Sequence, residues 1–257
     1  MSCQTLTIKK KDNMIVAKII CSINEQAKMA RLSDELTDLC AEVAWDEEIR
    51  VIILTGVEEK SFSMGTDLIG AVSRVDQESQ IKFESIAEPI EKLNQPIIAA
   101  INGDAIGQGL ELALACDIRI AVEKSHFGFP CIRAGLIPWD GGTQRLSRLV
   151  GRGKAIEMIL TGEMIDAQEA YRIGLINKVV SPGELMAVAM DMARKMSTKG
   201  PISLRYAKEA IYKGMDLTME QGLHLEADLY LLLHTTKDRT EGINAFREKR
   251  TPKFEGR

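Results

Sequence analysis

Three short apolar runs constrain the fold most: VIILTG at 51–56, PIIAAI at 96–101 and DIRIAV at 117–122. VIILTG has no polar face to offer water, so it reads as a buried, parallel strand. The other two are strand-sized as well, and Asn102-Gly103 behind the second is a turn signal. Helical stretches lie between and around the strands. Leu32, Leu36, Leu39, Cys40 and Val43 recur at helical spacing over 29–44, a second helix is expected from about 77 to 93, and LELALAC at 110–116 is a short apolar helix interrupted by one Glu. Strand and helix in alternation predict an α/β fold with helices covering a sheet. Ahead of these elements, QTLTIKK and MIVAKII flank Asp12-Asn13 and read as a β-hairpin. VEEKSFSMGTD at 57–67 reads as a loop.

Beyond about residue 143 the chain is expected to be helical with little strand, from TQRLSRLVGRGKAIEMILTG to the stretch 217–248. With 257 residues there is ample chain for one large domain, or for a domain with a helical extension. The net charge of -4 and the lack of a basic face argue against nucleic acid as a partner. No apolar run is long enough to span a bilayer, so no membrane partner is expected. MSCQTLTIKKKDN has no apolar segment after its lysines and is not expected to be a signal peptide. The five cysteines are scattered without a CxxC, which predicts free thiols in a reducing cytoplasm, and neither they nor His126, His224 and His234 have metal-ligand spacing.

Common catalytic patterns are missing. There is no GxSxG elbow, and GRGK at 151–154 has Arg148 where a phosphate loop needs its first glycine. GQGLEL at 107–112 carries two glycines of a dinucleotide fingerprint but Leu112 in place of the third, which is weak support for NAD. Two glycine-bearing turns remain: Ser63-Met64-Gly65-Thr66-Asp67 and Gly107-Gln108-Gly109. Helix N-termini leave amides without intrahelical partners and favour negative charge. The turns are therefore either ordinary strand-to-helix connections or, if the amides of Thr66 and Gln108 converge, an oxyanion site. Glu111 sits between Leu110 and Leu112 on a helix that should be buried all round. Burial would raise its pKa toward the range useful for general acid/base work, unless it is simply paired with an arginine such as Arg145 or with the next helix.

Together, SFSMGTDL, PIIAAINGDAIGQGLELALACDIRIA, HFGFPCIRAGLIPWDGGTQRL and AIEMILTGEMIDAQEAYRIGLINKVV resemble the crotonase superfamily of enoyl-CoA hydratases and isomerases, in the right order and spacing over nearly the whole chain. The resemblance implies a spiral of ββα units over about 1–195, with a helical C-terminal region, 196–257, used in trimerisation, and a homotrimer or a hexamer of two trimers. It implies an acyl-CoA thioester as substrate, with no cofactor beyond the coenzyme A that the substrate carries, and no metal. By position, the amides of Thr66 and Gln108 would form the oxyanion hole, although Gln108 stands where the family usually has Gly. Ser63, Met64, Gly65, Asp67 and Leu68 would line the coenzyme A, Ile106, Gly107, Gly109, Cys131 and Pro138 would contact the substrate, Trp139 would floor the acyl pocket, and the Gln108 side chain would narrow it.

Hydratases of this family use two glutamates. Glu111 corresponds to one of them, and Cys131 stands in place of the other. A thiol is a poor acceptor for water, so Cys131 reads as buried filler. Asp140 is either a helix N-cap or the substitute acid. The reading that follows is hydration of an α,β-unsaturated acyl-CoA, with Glu111 and Asp140 as the catalytic groups. The alternatives are an enoyl- or dienoyl-CoA isomerase, a hydratase of a cyclic dienoyl-CoA, and an inactive acyl-CoA-binding homologue.

Overall fold

The computed structural model describes residues 5–20, 26–57, 61–63 and 84–257. Strands β1 (Leu6–Lys11) and β2 (Met14–Ile19) pair antiparallel across Asp12-Asn13, with Asp12 in the left-handed region at φ 53. Helix α1 (Gln26–Trp45) follows and buries Leu32, Leu36, Leu39 and Val43. The chain then passes three times from a large sheet to a small one. It does so as β3 (Val51–Gly56) to β4 (Ser61–Ser63), β5 (Ile97–Ile101) to β6 (Asp104–Ile106), and β7 (Ile118–Val122) to β8 (His126–Gly128). Each pair leads toward a helix: α2 (Glu88–Glu91), α3 (Gln108–Ala115) and, after a 3-10 turn at Pro130–Ala134, α4 (Gly142–Val150). This repeat is the ββα spiral.

The large sheet runs β1-β2-β3-β5-β7-β10 and is parallel from β2 onward; the small one runs β4-β6-β8-β9. Alternate side chains of the apolar runs enter two cores. Ile52, Leu54, Ile97 and Ala99 face the core that holds α1 and α3, while Val51, Ile53, Ile98 and Ala100 face α7 (Leu185–Ser197) through Leu185, Ala189 and Ala193. Burial on both faces is why these strands contain no polar alternation.

Some expectations change. SFS within the expected loop 57–67 is a strand, β4, paired with β6. The helix expected from about 77 to 93 lies partly outside the described residues, and the described part contains only α2. The region beyond 143 is helical, in α5 (Arg152–Thr161), α6 (Ala167–Arg172), α7, α8 (Pro201–Gly214), α9 (Met219–Leu233) and α10 (Lys237–Glu248). It nevertheless gives both sheets an edge, β9 (Ile165–Asp166) and β10 (Lys178–Val180). A three-residue strand has too few residues to show a period of two, so pattern reading passes over it. The end of the chain returns to the core: Arg50 donates to the carbonyls of Ser197 at 2.8 Å and Phe254 at 2.6 Å. Among the described residues no helix is long and apolar enough to cross a membrane.

Candidate active site

The site is built on the N-terminal turn of α3. Its cap, Gly107, has φ 55 and ψ -126, a conformation open to glycine but strained for other residues. The Gly107 amide donates to the Gly128 carbonyl at 3.0 Å, which ties the turn to β8. Two residues on, Gly109 permits a close approach. A Cβ there would stand 1.9 Å from the Ser63 carbonyl oxygen, so β4 packs directly on the helix. At Gly109 the place of a side chain is filled by Ser63 backbone. The two glycine-bearing turns are thus neighbours at Ser63 and Gly109. Met64, Gly65, Thr66, Asp67 and Leu68 lie outside the described residues.

Glu111 is buried on this helix, at 1% exposure. Its Oε1 accepts two backbone amides, from Asp140 at 2.8 Å and from Gly142 at 2.8 Å. Among the described residues, no donor meets Oε2. Burial pushes the Glu111 pKa up to about 7; the Gly142 amide opposes that shift, the Asp140 charge adds to it, and the Asp140 amide and Arg145 oppose it further. At such a value the group both takes and returns protons near neutral pH. The expected pairing with Arg145 does not form, while the expected contact with the next helix does, through the Gly142 amide. Arg145 instead donates to the Asp140 carbonyl at 2.8 Å and to Glu91 at 2.6 Å.

Of the two roles expected of Asp140, the structure removes the helix cap. It does not cap its own helix, since the N-cap of α4 is Gly141 with no side-chain cap. Nor does its carboxylate turn toward Glu111. Oδ1 accepts the Ser85 hydroxyl, and Oδ2 accepts the amides of Ile86 at 2.9 Å and Ala87 at 3.1 Å and the Gln108 side-chain amide at 3.1 Å. Only the backbone N–H of Asp140 reaches Glu111. Gly141, at φ 96, turns the chain so that side chain and backbone face different partners.

Cys131 lies half-buried on the 3-10 turn, its thiol 3.9 Å from the Phe129 carbonyl. Burial, then the Glu111 charge, raises its pKa, so it holds its proton. Pro138 is buried against Gly142, while Trp139, Ile106 and Gly107 are partly exposed. Sequence reasoning missed Ser85, the bond from the Gln108 side chain to Asp140 and the amides of 140 and 142. The only signal for the last was Asp-Gly-Gly, a run suited to a backbone nest rather than a simple cap. Among the described residues no three His, Cys, Asp or Glu side chains cluster as metal ligands would. A cavity of about 700 Å³ opens at the other end of α3, between Leu114, Lys208, Tyr212 and Met215, and does not include Glu111.

Against known proteins, the family model described as enoyl-CoA hydratase/isomerase matches residues 16–257. The short-chain-enoyl-CoA hydratase of Clostridium acetobutylicum is 39% identical over 257 residues, covering 95% of this chain and 97% of that protein. The (E)-benzylidenesuccinyl-CoA hydratase of Thauera aromatica is 41% identical over 224 residues, covering 86% of this chain and 88% of that protein. Among solved structures, the enoyl-CoA hydratase of Bacillus anthracis superposes with a TM-score of 0.92 at 38% identity, over 99% of this chain and 100% of its own.

Proposed function

This chain belongs to the enoyl-CoA hydratase/isomerase family, and from that premise we propose that it adds water across the α,β double bond of an acyl-CoA thioester. The observation that carries this reading is Glu111: one carboxylate oxygen pinned by two amides, the other met by no donor among the described residues, and a pKa of about 7. Oε2 takes a proton from water as its oxygen bonds to the β-carbon. The electrons of the double bond move to the thioester oxygen, giving an enolate. The amide of Gln108, at the positive end of α3, and that of Thr66 stabilise this charge. The proton on Glu111 then passes to the α-carbon, so the product gains one water and the carboxylate is restored. Only protons and a hydroxyl move, so the reaction calls for no cofactor beyond the substrate's coenzyme A.

Cys131 favours a second reading. With a thiol where the second glutamate stands in the family's hydratases, and the Asp140 carboxylate engaged by four donors, Glu111 is the carboxylate left to act on substrate, and a single carboxylate suffices to move a proton between carbons, as a double-bond isomerase does. A panel of linear and cyclic unsaturated acyl-CoA thioesters in water enriched in heavy oxygen separates the readings. Label in the product supports hydration, rearrangement without label supports isomerisation, and no turnover supports a binding protein.

Residues 196–257 fit a self-association region. Ile211, Met219, Leu223, Tyr230 and Phe246 on α8–α10, and Met215 just after α8, are all more than half exposed, a density of apolar surface that favours burial against further copies. A homotrimer, or a dimer of trimers, would cover it. The free thiols Cys40, Cys116 and Cys131 fit a cytoplasmic setting.

A further inference from the structure

Gln108 stands where the family usually has Gly, and the fold brings its side chain to the carboxylate of Asp140. Gln108 is 4% exposed, and its side-chain amide needs acceptors there; Nε2 finds the Glu84 carbonyl at 3.0 Å and Asp140 Oδ2 at 3.1 Å. Asp140 is 7% exposed, and its carboxylate needs donors; Gln108 is one of four. Buried polar groups are stable only when so matched. A glycine at 108 would remove a donor from a buried anion, and an apolar residue at 140 would take an acceptor from a buried amide. Each side chain therefore depends on the other.

The contacts close a ring. Gln108 opens α3, and Glu111 follows three residues later, which places them on neighbouring positions of one helix face. Glu111 Oε1 accepts the Asp140 amide, and the Asp140 carboxylate accepts the Gln108 side chain. The same carboxylate holds Ser85, Ile86 and Ala87, and Ser85 in turn accepts the Glu88 amide at 2.9 Å. The start of α2, the 140–142 turn and the first turn of α3 are thus joined at one buried anion.

We propose that Gln108 and Asp140 act as one positioning pair that locks the turn carrying the oxyanion amide to the turn that orients Glu111. The proposal rests on the hydratase reading for what the pair serves, but its geometry stands without it. The two side chains touch no reacting atom. It sets the spacing between the Gln108 backbone amide, which would meet the thioester oxygen, and the Glu111 carboxyl, which would meet water and the α-carbon. A misplacement on the ångström scale between two such groups lowers turnover more than it lowers binding.

The test uses the full-length protein with Gln108→Gly, Gln108→Met, Asp140→Asn and the double variant Gln108→Gly/Asp140→Asn. Kinetic constants are measured for hydration. The infrared carbonyl stretch is measured for bound butyryl-CoA labelled with carbon-13 at the thioester carbon, a saturated probe that needs no turnover. Methionine keeps the volume of glutamine but donates nothing, so a space-filling role would be rescued by it. The expected result is that Gly and Met each lower kcat by roughly tenfold, the scale of one hydrogen bond to a charged group, with KM within about twofold. Both should weaken the shift of the bound carbonyl, and the double variant should be no worse than the more severe single one. Full activity in Gln108→Met, or losses that multiply in the double variant, would overturn the pair. If the wild-type protein hydrates nothing yet shifts the carbonyl, and Gln108→Met loses that shift, the pair stands and the hydratase reading falls.

Discussion

Glu111 and Gly142 meet at a distance that only glycine allows. The Gly142 amide lies 2.8 Å from Glu111 Oε1, and a Cβ at 142 would stand 2.8 Å from the same oxygen, 2.8 Å from Pro138 Cβ and 2.9 Å from Phe129 Cζ. The residue that orients the carboxylate is thus also the one whose side chain would expel it. Gly142→Ala should lower kcat by roughly ten- to a hundredfold and destabilise the fold by about 1–3 kcal/mol through overpacking. Steady-state kinetics beside urea unfolding reads both effects. Unchanged kcat would mean that Glu111 does not depend on this contact.

Glu111→Gln keeps the shape and removes the base. Turnover of crotonyl-CoA should fall by about 10²–10⁴, the range of a general acid/base contribution. Intact turnover would show that another group takes the proton from water.

The pH dependence follows from the same carboxyl. As a base it must be ionised, so kcat/KM for hydration should fall as pH drops through about 7, where burial sets its pKa. Stability has the opposite sense. A folded-state pKa raised above the unfolded value of 4.5 means that the folded protein binds more protons between those two points, so stability declines as pH rises from about 4.5 to 7. The Gln variant should lack that decline. A kinetic midpoint near 4.5 would place the working carboxyl in water instead.

At Cys131, where burial raises the thiol pKa, Ala should be nearly neutral, with kcat within about threefold of wild type. Iodoacetamide should label the thiol slowly at neutral pH, because the thiolate is the nucleophile. A loss of about a hundredfold in Cys131→Ala, on the scale of a general acid or base, would give the thiol a chemical role.

Asp140→Asn presents an amide to a set of four donors. One or more of Ser85, Ile86, Ala87 and Gln108 would then face a donor in place of an acceptor. Stability should fall by about 1–3 kcal/mol, the cost of leaving a buried group unsatisfied. A urea midpoint equal to wild type would mean that these donors find other acceptors.

The sequence by itself determined the elements whose side chains have one way to hide. VIILTG, IIAAI and IRIAV had to be covered on both faces, which requires a parallel sheet under helices. Glu111 was legible as a buried carboxyl because its helical neighbours are Leu and Ala, and burial acts on its pKa whatever the partners are. The glycines of the two turns were legible as special backbone, though the turn at 64–68 lies outside the described residues. Tertiary structure alone decided where the polar groups point. Asp140 looked like a cap because two glycines follow it at the start of a helix, yet its partners are Ser85, Ile86, Ala87 and Gln108, distant in the chain and adjacent in space. A hydrogen bond is short and directional, and its aim depends on dihedral angles such as the φ of 96 at Gly141. Apolar burial is non-directional and sums over a whole run of residues, so it can be read from composition and period, while the pairing of single polar atoms is set only once the chain has closed around them.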